Sequence, residues 1–401
     1  MINELQDKKI AKVFVRRMQN FFKNWGSYSP TNISQKKLSL IELDGYETFF
    51  GYYDKNPFSS NMKYLLFYRS KYSTKKNPRK DVPIELVLFD FSEKIIIKTW
   101  CVWAYNWQQG SKVQWLNDDK FAFNNYDRNR GCYYSLIIDA STLLEERVNY
   151  PLYDGTLAYF LTLNFERLNK LRPDYGYRNR IGKYFSDKED GVFIYNIKEQ
   201  TFKLLISLDF LVGNFHKPSM DKANHKVNHI MISPLKDRFM FMHRWIKNGK
   251  KEDRLYVYQF ESKKLDCVAD YGMVSHCTWM DNNHILGYMN GPGNKAGYYL
   301  IDIDQMLLKR MSDKIQHLGD GHPSVLKNVM LFDSYPDENR LKHLYKYDIL
   351  NDKLVDVGTL KEALGFECQC RCDLHPRFVC DNLISIDSTH LGKRTFCIIE
   401  I

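Results

Sequence analysis

The sequence predicts an all-β chain, a seven-bladed β-propeller closed by an N-terminal strand. Three observations lead there. One phrase recurs: a polar or basic residue, a short apolar stretch, a turn rich in Ser, Pro, Asp or Asn, then an apolar strand. Each copy is followed by strands of alternating aromatic and β-branched residues, such as "DRLYVYQF" and "RTFCIIEI", which suit a pleated, half-buried surface. The last copy stops at Ile401 after three strands, while "KKLSLIEL" at Lys36–Leu43 has no blade of its own and is expected to complete the final one.

Taken in order, residues 1–35 form a basic arm and 36–401 the propeller. Within the arm, Ile10–Trp25 of "KKIAKVFVRRMQNFFKNW" has the pattern of a basic amphipathic helix able to lie on an anionic membrane face. The phrase then starts at Lys55, Lys112, His229, His276, His322 and His375, at intervals of 46 to 57 residues apart from one double-length gap. A degenerate copy between Tyr153 and Leu208 fills that gap and makes seven. Three or four strands in a repeat of about 45 residues is the pattern of a propeller blade.

Bulk composition narrows the function classes. The formal charge is +10 over 401 residues, with 58 Lys and Arg against 48 Asp and Glu, which suits an acidic partner. Much of that excess lies in the arm, which argues against nucleic acid as the partner. Nine cysteines without a cleavable leader read as free thiols of a cytoplasmic protein, with the basic arm as a peripheral membrane contact. "CQCRC" at Cys368–Cys372 reads as a strand with its thiols on one side, in an apolar rather than a metal-binding role. "GPGN" at Gly291–Asn294 reads as a turn, and no GxSxG, Walker or HExxH motif is present.

In a propeller the start of each inner strand and the end of the next strand meet at one channel mouth. Lys55, Lys112, His229, His276, His322 and His375 are therefore expected to ring that mouth, with His243, Arg244 and Tyr335 rising beside them. A lone strand histidine is usually structural, but one column filled by His in four repeats points to a site.

The C-terminal phrases resemble those of the metal-dependent oligogalacturonate lyases, over roughly Tyr46–Ile401. "NHIMISPLKDRFMFMHRW" is similar to a family segment that places His229 and His243 on motif histidines. "SHCTW" and "LHPRF" place His276 and His375 on metal-ligand positions; Asp373 and Cys370 stand where the family carries histidine and glutamine. The resemblance implies a divalent ion, Mn²⁺ or similar, on His276, Asp373 and His375. It implies β-elimination from an acidic oligosaccharide or polysaccharide, in which a base removes the C5 proton of a uronic acid whose carboxylate has been neutralised.

His229 or His243 would be that base, with Arg244, Lys55 and Lys112 on the carboxylate. His322 falls at a ligand or substrate position, Arg371 and Arg377 supplement the charge, and Tyr335 and Trp245 stack on sugar faces. Two other classes fit parts of the pattern. Paired carboxylates among Asp54, Asp320, Asp337 and Asp387 would suit a glycoside hydrolase, and a non-catalytic propeller would bind an acidic glycan or a partner enzyme of surface-polysaccharide assembly.

Overall fold

A computed structural model describes residues 32–33, 38–180 and 186–401. It contains seven four-stranded antiparallel sheets, each formed by strands adjacent in sequence except the last. Blades 1 to 3 start with inner strands Glu47–Phe49, Gln114–Trp115 and Asp154–Gly155. Blades 4 to 7 start with Asn224–Ile232, Val274–Trp279, Ser324–Leu326 and Arg377–Cys380. The degenerate repeat is thus a real blade, running from Asp154 to Ser207. Leu38–Ile41 pairs antiparallel with Thr395–Glu400, so the N-terminal strand completes blade 7 as expected. The basic arm and its helix over Ile10–Trp25 lie outside the described residues, apart from Asn32 and Ile33.

The sheets pack through their aromatic and aliphatic faces, and the largest apolar cluster runs from Tyr52 through blades 3, 4 and 5. What positions the site is the irregularity of the inner strands. In blade 1, Glu47–Phe49 pairs with one end of the second strand, and Phe58 bridges Leu65 near the other. The residues between, "FGYYDKN", leave the ladder and enter the channel, carrying Tyr52 and Tyr53 with them. Gly51 permits the departure: its φ is +114°, and a Cβ there would stand 3.1 Å from the backbone of Gln109.

Blade 7 holds that excursion in place. The Asp387 carboxylate accepts the N–H groups of Phe50 and Gly51 at 3.0 and 2.7 Å. Arg377 donates to the Gly51 carbonyl at 2.9 Å and pairs with Asp387, and both side chains are fully buried. "CQCRC" departs from its expected form, because Cys368–Cys370 is a 3-10 turn with Cys368 exposed and only Cys370 and Cys372 buried. "GPGN" is the turn expected of it.

Removing one member of the Arg377–Asp387 pair strands a buried charge. Arg377→Met should lower unfolding free energy by about 3–5 kcal/mol, and Arg377→Met/Asp387→Asn, which removes the stranded charge but keeps an acceptor for the blade 1 backbone, should recover part of that loss. Urea titrations would check this, and equal stability of the single variant and the parent would contradict it.

Candidate functional site

His229, His276, His322 and His375 converge around Tyr52 and Tyr53 near the axis, all at most 5% exposed. Ring centroids lie 4.1 Å apart for His276 and His322, 4.4 Å for His322 and His375, and 6.0 Å for His229 and His276. Tyr52 stands 5.0 Å from His375 and 5.3 Å from His229. Two of the imidazoles reach the axis at bulges and two from the residues just before their strands. His229 sits at a bulge between Asn228 and Met231 with φ +52°, and His276 at a bulge between Val274 and Cys277. His375, at φ +46°, and His322 precede their strands.

Carboxylates orient two of the rings. Asp333 accepts His322 Nδ1 at 2.9 Å and also the backbone N–H groups of His322 and His375, tying blade 6 to blade 7. Asp320 takes His276 Nδ1 at 3.0 Å and the Ser275 hydroxyl at 2.5 Å. With Nδ1 engaged, His322 directs Nε2 away from Asp333. That atom and Nε2 of His375 are both buried without a hydrogen-bond partner in the protein, which leaves both lone pairs or N–H groups open to a water or an ion.

One ligand atom from each of His322, Asp373 and His375 lies within 4.8 Å of the others. Two imidazoles and a carboxylate suit a divalent transition ion. Two of the three expected ligands, Asp373 and His375, belong to this group, and its third member is His322. His276 stays beside them, fixed by Asp320.

Electrostatics separate these groups. Burial, reinforced by Arg244 and His276, holds the His229 pKa well below the ordinary range, so this imidazole is neutral. Burial lowers His375 as well, with His322 adding to it. Burial also opposes charge on His322, but Asp333 outweighs it and the net shift is upward. Burial resists ionisation of Asp373, yet Arg371, His322, His375 and Lys342 together hold its carboxyl far below the usual range. The Tyr52 hydroxyl, pushed well up by burial, remains protonated and lies 3.0 Å from His229 Nδ1 and 3.1 Å from Nε2.

Other expected residues fall elsewhere. His243 does not join His229: it stacks on His225, with Nε2 3.0 Å from His225 Nδ1, on the opposite side of the strand from Arg244. The reason is alternation along the second strand combined with the bulge, which re-aims His229 alone. Trp245 shares the His243 face, buried, with Nε1 on the Ser219 hydroxyl, so it offers no rim surface. Lys55 pairs with Asp154 at 2.6 Å and lines a cavity of about 670 Å³ with Ser324–Leu326 and Phe378–Asn382, further along the inner strands than the histidines. It thus faces the other mouth, because the true start of blade 1 precedes it.

Lys112, at φ +57° in the histidine column, is buried against Asp54 at 2.9 Å. Arg377 is held in the blade 7 latch, 1% exposed, and also lines the Lys55 cavity. Arg244 pairs with Asp253 at 3.0 Å and donates to the Val274 carbonyl. Arg371 and Asp373 line a cavity of about 290 Å³ with Tyr335, which is 40% exposed and 5.7 Å from His322.

Tyr52, Tyr53 and Asp333 were not expected in this centre, and Asp320 was expected only as one of a hydrolase's paired carboxylates. Sequence reasoning also missed Arg172, Asp174 and Tyr175, which follow the helix Phe165–Leu171 inside blade 3. "GDGH" and "LFDS" carried the signal for the two aspartates, since each places an acid beside a phrase histidine or at the end of its partner strand.

No protein-family model matches the chain, and no curated protein matches it either. Among solved structures it is similar to an oligogalacturonate lyase in complex with manganese, with TM-score 0.64 and 14% identity over 93% of this chain and 96% of that one. It is also similar to the oligogalacturonate lyase of Vibrio parahaemolyticus, with TM-score 0.57 and 11% identity over the same shares. The likeness read from the C-terminal phrases is thus a distant likeness of the whole propeller. Among the described residues no helix is long and apolar enough to cross a membrane.

His225, His229 and His243 are all shifted down, burial being the first cause in each. An unfolded histidine titrates near 6.5, so between that value and the lower folded values the unfolded chain binds more protons. Stability should therefore be full above about pH 7 and fall as pH drops below about 6.5. Urea midpoints across that range would test this, with His225→Gln/His243→Gln flattening the slope; a flat parental profile would refute it.

Proposed function

We propose that this chain is a divalent-metal-dependent lyase that cleaves a uronic-acid-containing glycan by β-elimination at the histidine end of the channel. One observation carries the reading: two buried, unbonded imidazole nitrogens and an ionised Asp373 converge beside a neutral His229. The fold shared with lyases supports it. The metal, Mn²⁺ in this reading, would be held by His322, Asp373 and His375. It would supply neutralisation of the substrate carboxylate and of the charge that develops as C5 loses its proton.

The side chains divide the remaining work. His229 takes the C5 proton: it is neutral, so one ring nitrogen carries a lone pair in either tautomer, and the Tyr52 hydroxyl beside both nitrogens orients the ring. Asp333 and Asp320 fix the tautomers of His322 and His276. Arg371, bound to Asp373 and Asp174, sets the carboxylate side of the pocket. Tyr335 offers a ring at the opening for a sugar face.

Hydrolysis by paired carboxylates is less well supported, because it needs an acid that stays protonated. Asp320 and Asp373 are both held below the usual range by their partners, and Asp54 and Asp387 are committed to Lys112 and Arg377.

The expected outcome is about one divalent ion per chain and an ultraviolet-absorbing unsaturated product from a uronate polymer. His322→Ala and His375→Ala should lose both metal and turnover, whereas His229→Ala should keep the metal and lose roughly 10²- to 10⁴-fold in kcat. Full activity of metal-free protein, or products lacking the ultraviolet band, would defeat the proposal.

A further inference from the structure

Five cations and no acid fall within the ten residues "KYSTKKNPRK", Lys71–Lys80. They belong to the loop that joins the second and third strands of blade 1, Tyr64–Ser70 and Ile84–Asp90. In an antiparallel blade that connection lies at the end where the inner strand starts, so the loop stands at the histidine mouth. Arg79 pairs with Asp81, just beyond the segment. Lys71, Lys75, Lys76 and Lys80 are all exposed, and none has an ion-pair partner among the described residues.

The backbone beneath these lysines is fixed from below. Glu47 accepts the N–H of Thr74 at 3.1 Å and its hydroxyl at 2.5 Å. Buried Trp107 donates Nε1–H to the Lys76 carbonyl at 2.8 Å, and the buried Tyr105 hydroxyl donates to the Val82 carbonyl at 2.8 Å. Four like charges are thus held on one ordered loop with no carboxylate to offset their repulsion. That arrangement is unfavourable for the protein alone and preorganised for a polyanion. It also adjoins the candidate site: the Lys75 amine lies 5.4 Å over the Phe366 ring, and Phe366 lines the cavity of about 290 Å³ with Arg371 and Asp373. A polymer that leaves this cavity over Phe366 meets Lys75 first, which favours a glycan chain over a lipid surface as the occupant.

We propose that Lys71, Lys75, Lys76 and Lys80 form a docking strip for an acidic polysaccharide, holding by charge the sugars that lie outside the cavity. The strip rests on the acidic-glycan reading for the identity of its ligand; the uncompensated charge at the mouth is independent of it. Long acidic chains, which occupy cavity and strip together, are then retained over short ones.

The test uses the full chain and the variant Lys71→Gln/Lys75→Gln/Lys76→Gln/Lys80→Gln. A control, Lys94→Gln/Lys198→Gln/Lys236→Gln/Lys263→Gln, loses the same charge at turns on the opposite end of the blades. All eight lysines are exposed, so both variants should unfold at the parental Tm. Binding of polygalacturonate, and of vesicles containing phosphatidylserine, is measured at low and high salt. The parent should bind polygalacturonate, more weakly as salt rises. The loop variant should bind it about tenfold more weakly at low salt, and the control should match the parent. Equal affinity in the loop variant and the parent would overturn the strip, as would an equal loss in the control or no binding by the parent. Loop-dependent binding to vesicles and not to polygalacturonate would overturn the glycan assignment. Loop-dependent binding without any ultraviolet product would sink the lyase reading and leave the strip standing. Product formed from the polymer with the same KM in parent and loop variant would do the reverse.

Discussion

Seven inner strands converge on one axis, and a regular β-ladder there would aim its side chains at the neighbouring sheets and not into the channel. The candidate centre exists because these strands are broken at the required places. Positive φ at Lys112, His229 and His375, bulges beside His229 and His276, and the excursion of blade 1 each turn one side chain inward. Backbone irregularity is unfavourable locally, so it must be offset by bonds made elsewhere. Asp387 and Arg377 do this for blade 1, and Asp333 does it for the junction of blades 6 and 7.

The same carboxylates that hold the backbone set the chemistry. Asp333 binds two N–H groups and a ring nitrogen at once, so the position of His322, its tautomer and its charge follow from one side chain. Asp320 repeats the arrangement for His276 with help from Ser275. His229 has a hydroxyl for company and no carboxylate, and it stays neutral among charged neighbours. Four chemically identical rings thus acquire different protonation behaviour through differences in what stands behind them.

The ring and its closure were legible in the sequence because a propeller repeats itself, and because a blade short of one strand must borrow it from the other terminus. The histidine column was legible for the same reason. What escaped was everything that depends on a one-residue shift. Whether His243 shares a chamber with His229 turns on a bulge that no residue type announces, and alternation alone sends it to the His225 side. Lys55 was assigned to the wrong mouth because the inner strand of blade 1 is split, and "KNPF" carries only its second fragment. Trp245 was read as a rim residue and Arg377 as a substrate contact, and both are buried, because a strand pattern does not reveal which blade covers a given face. Arg172, Asp174 and Tyr175 lay within the one repeat whose phrase had decayed.

Tyr52 and Tyr53 pack at 4.6 Å between ring centroids, and both are buried. The cavity by Asp373 and the one by Lys55 have no lining residue in common. Between them the two rings lie within 6.4 Å of all four imidazoles, centroid to centroid, so the packing of blade 1 is felt at every histidine of the candidate centre.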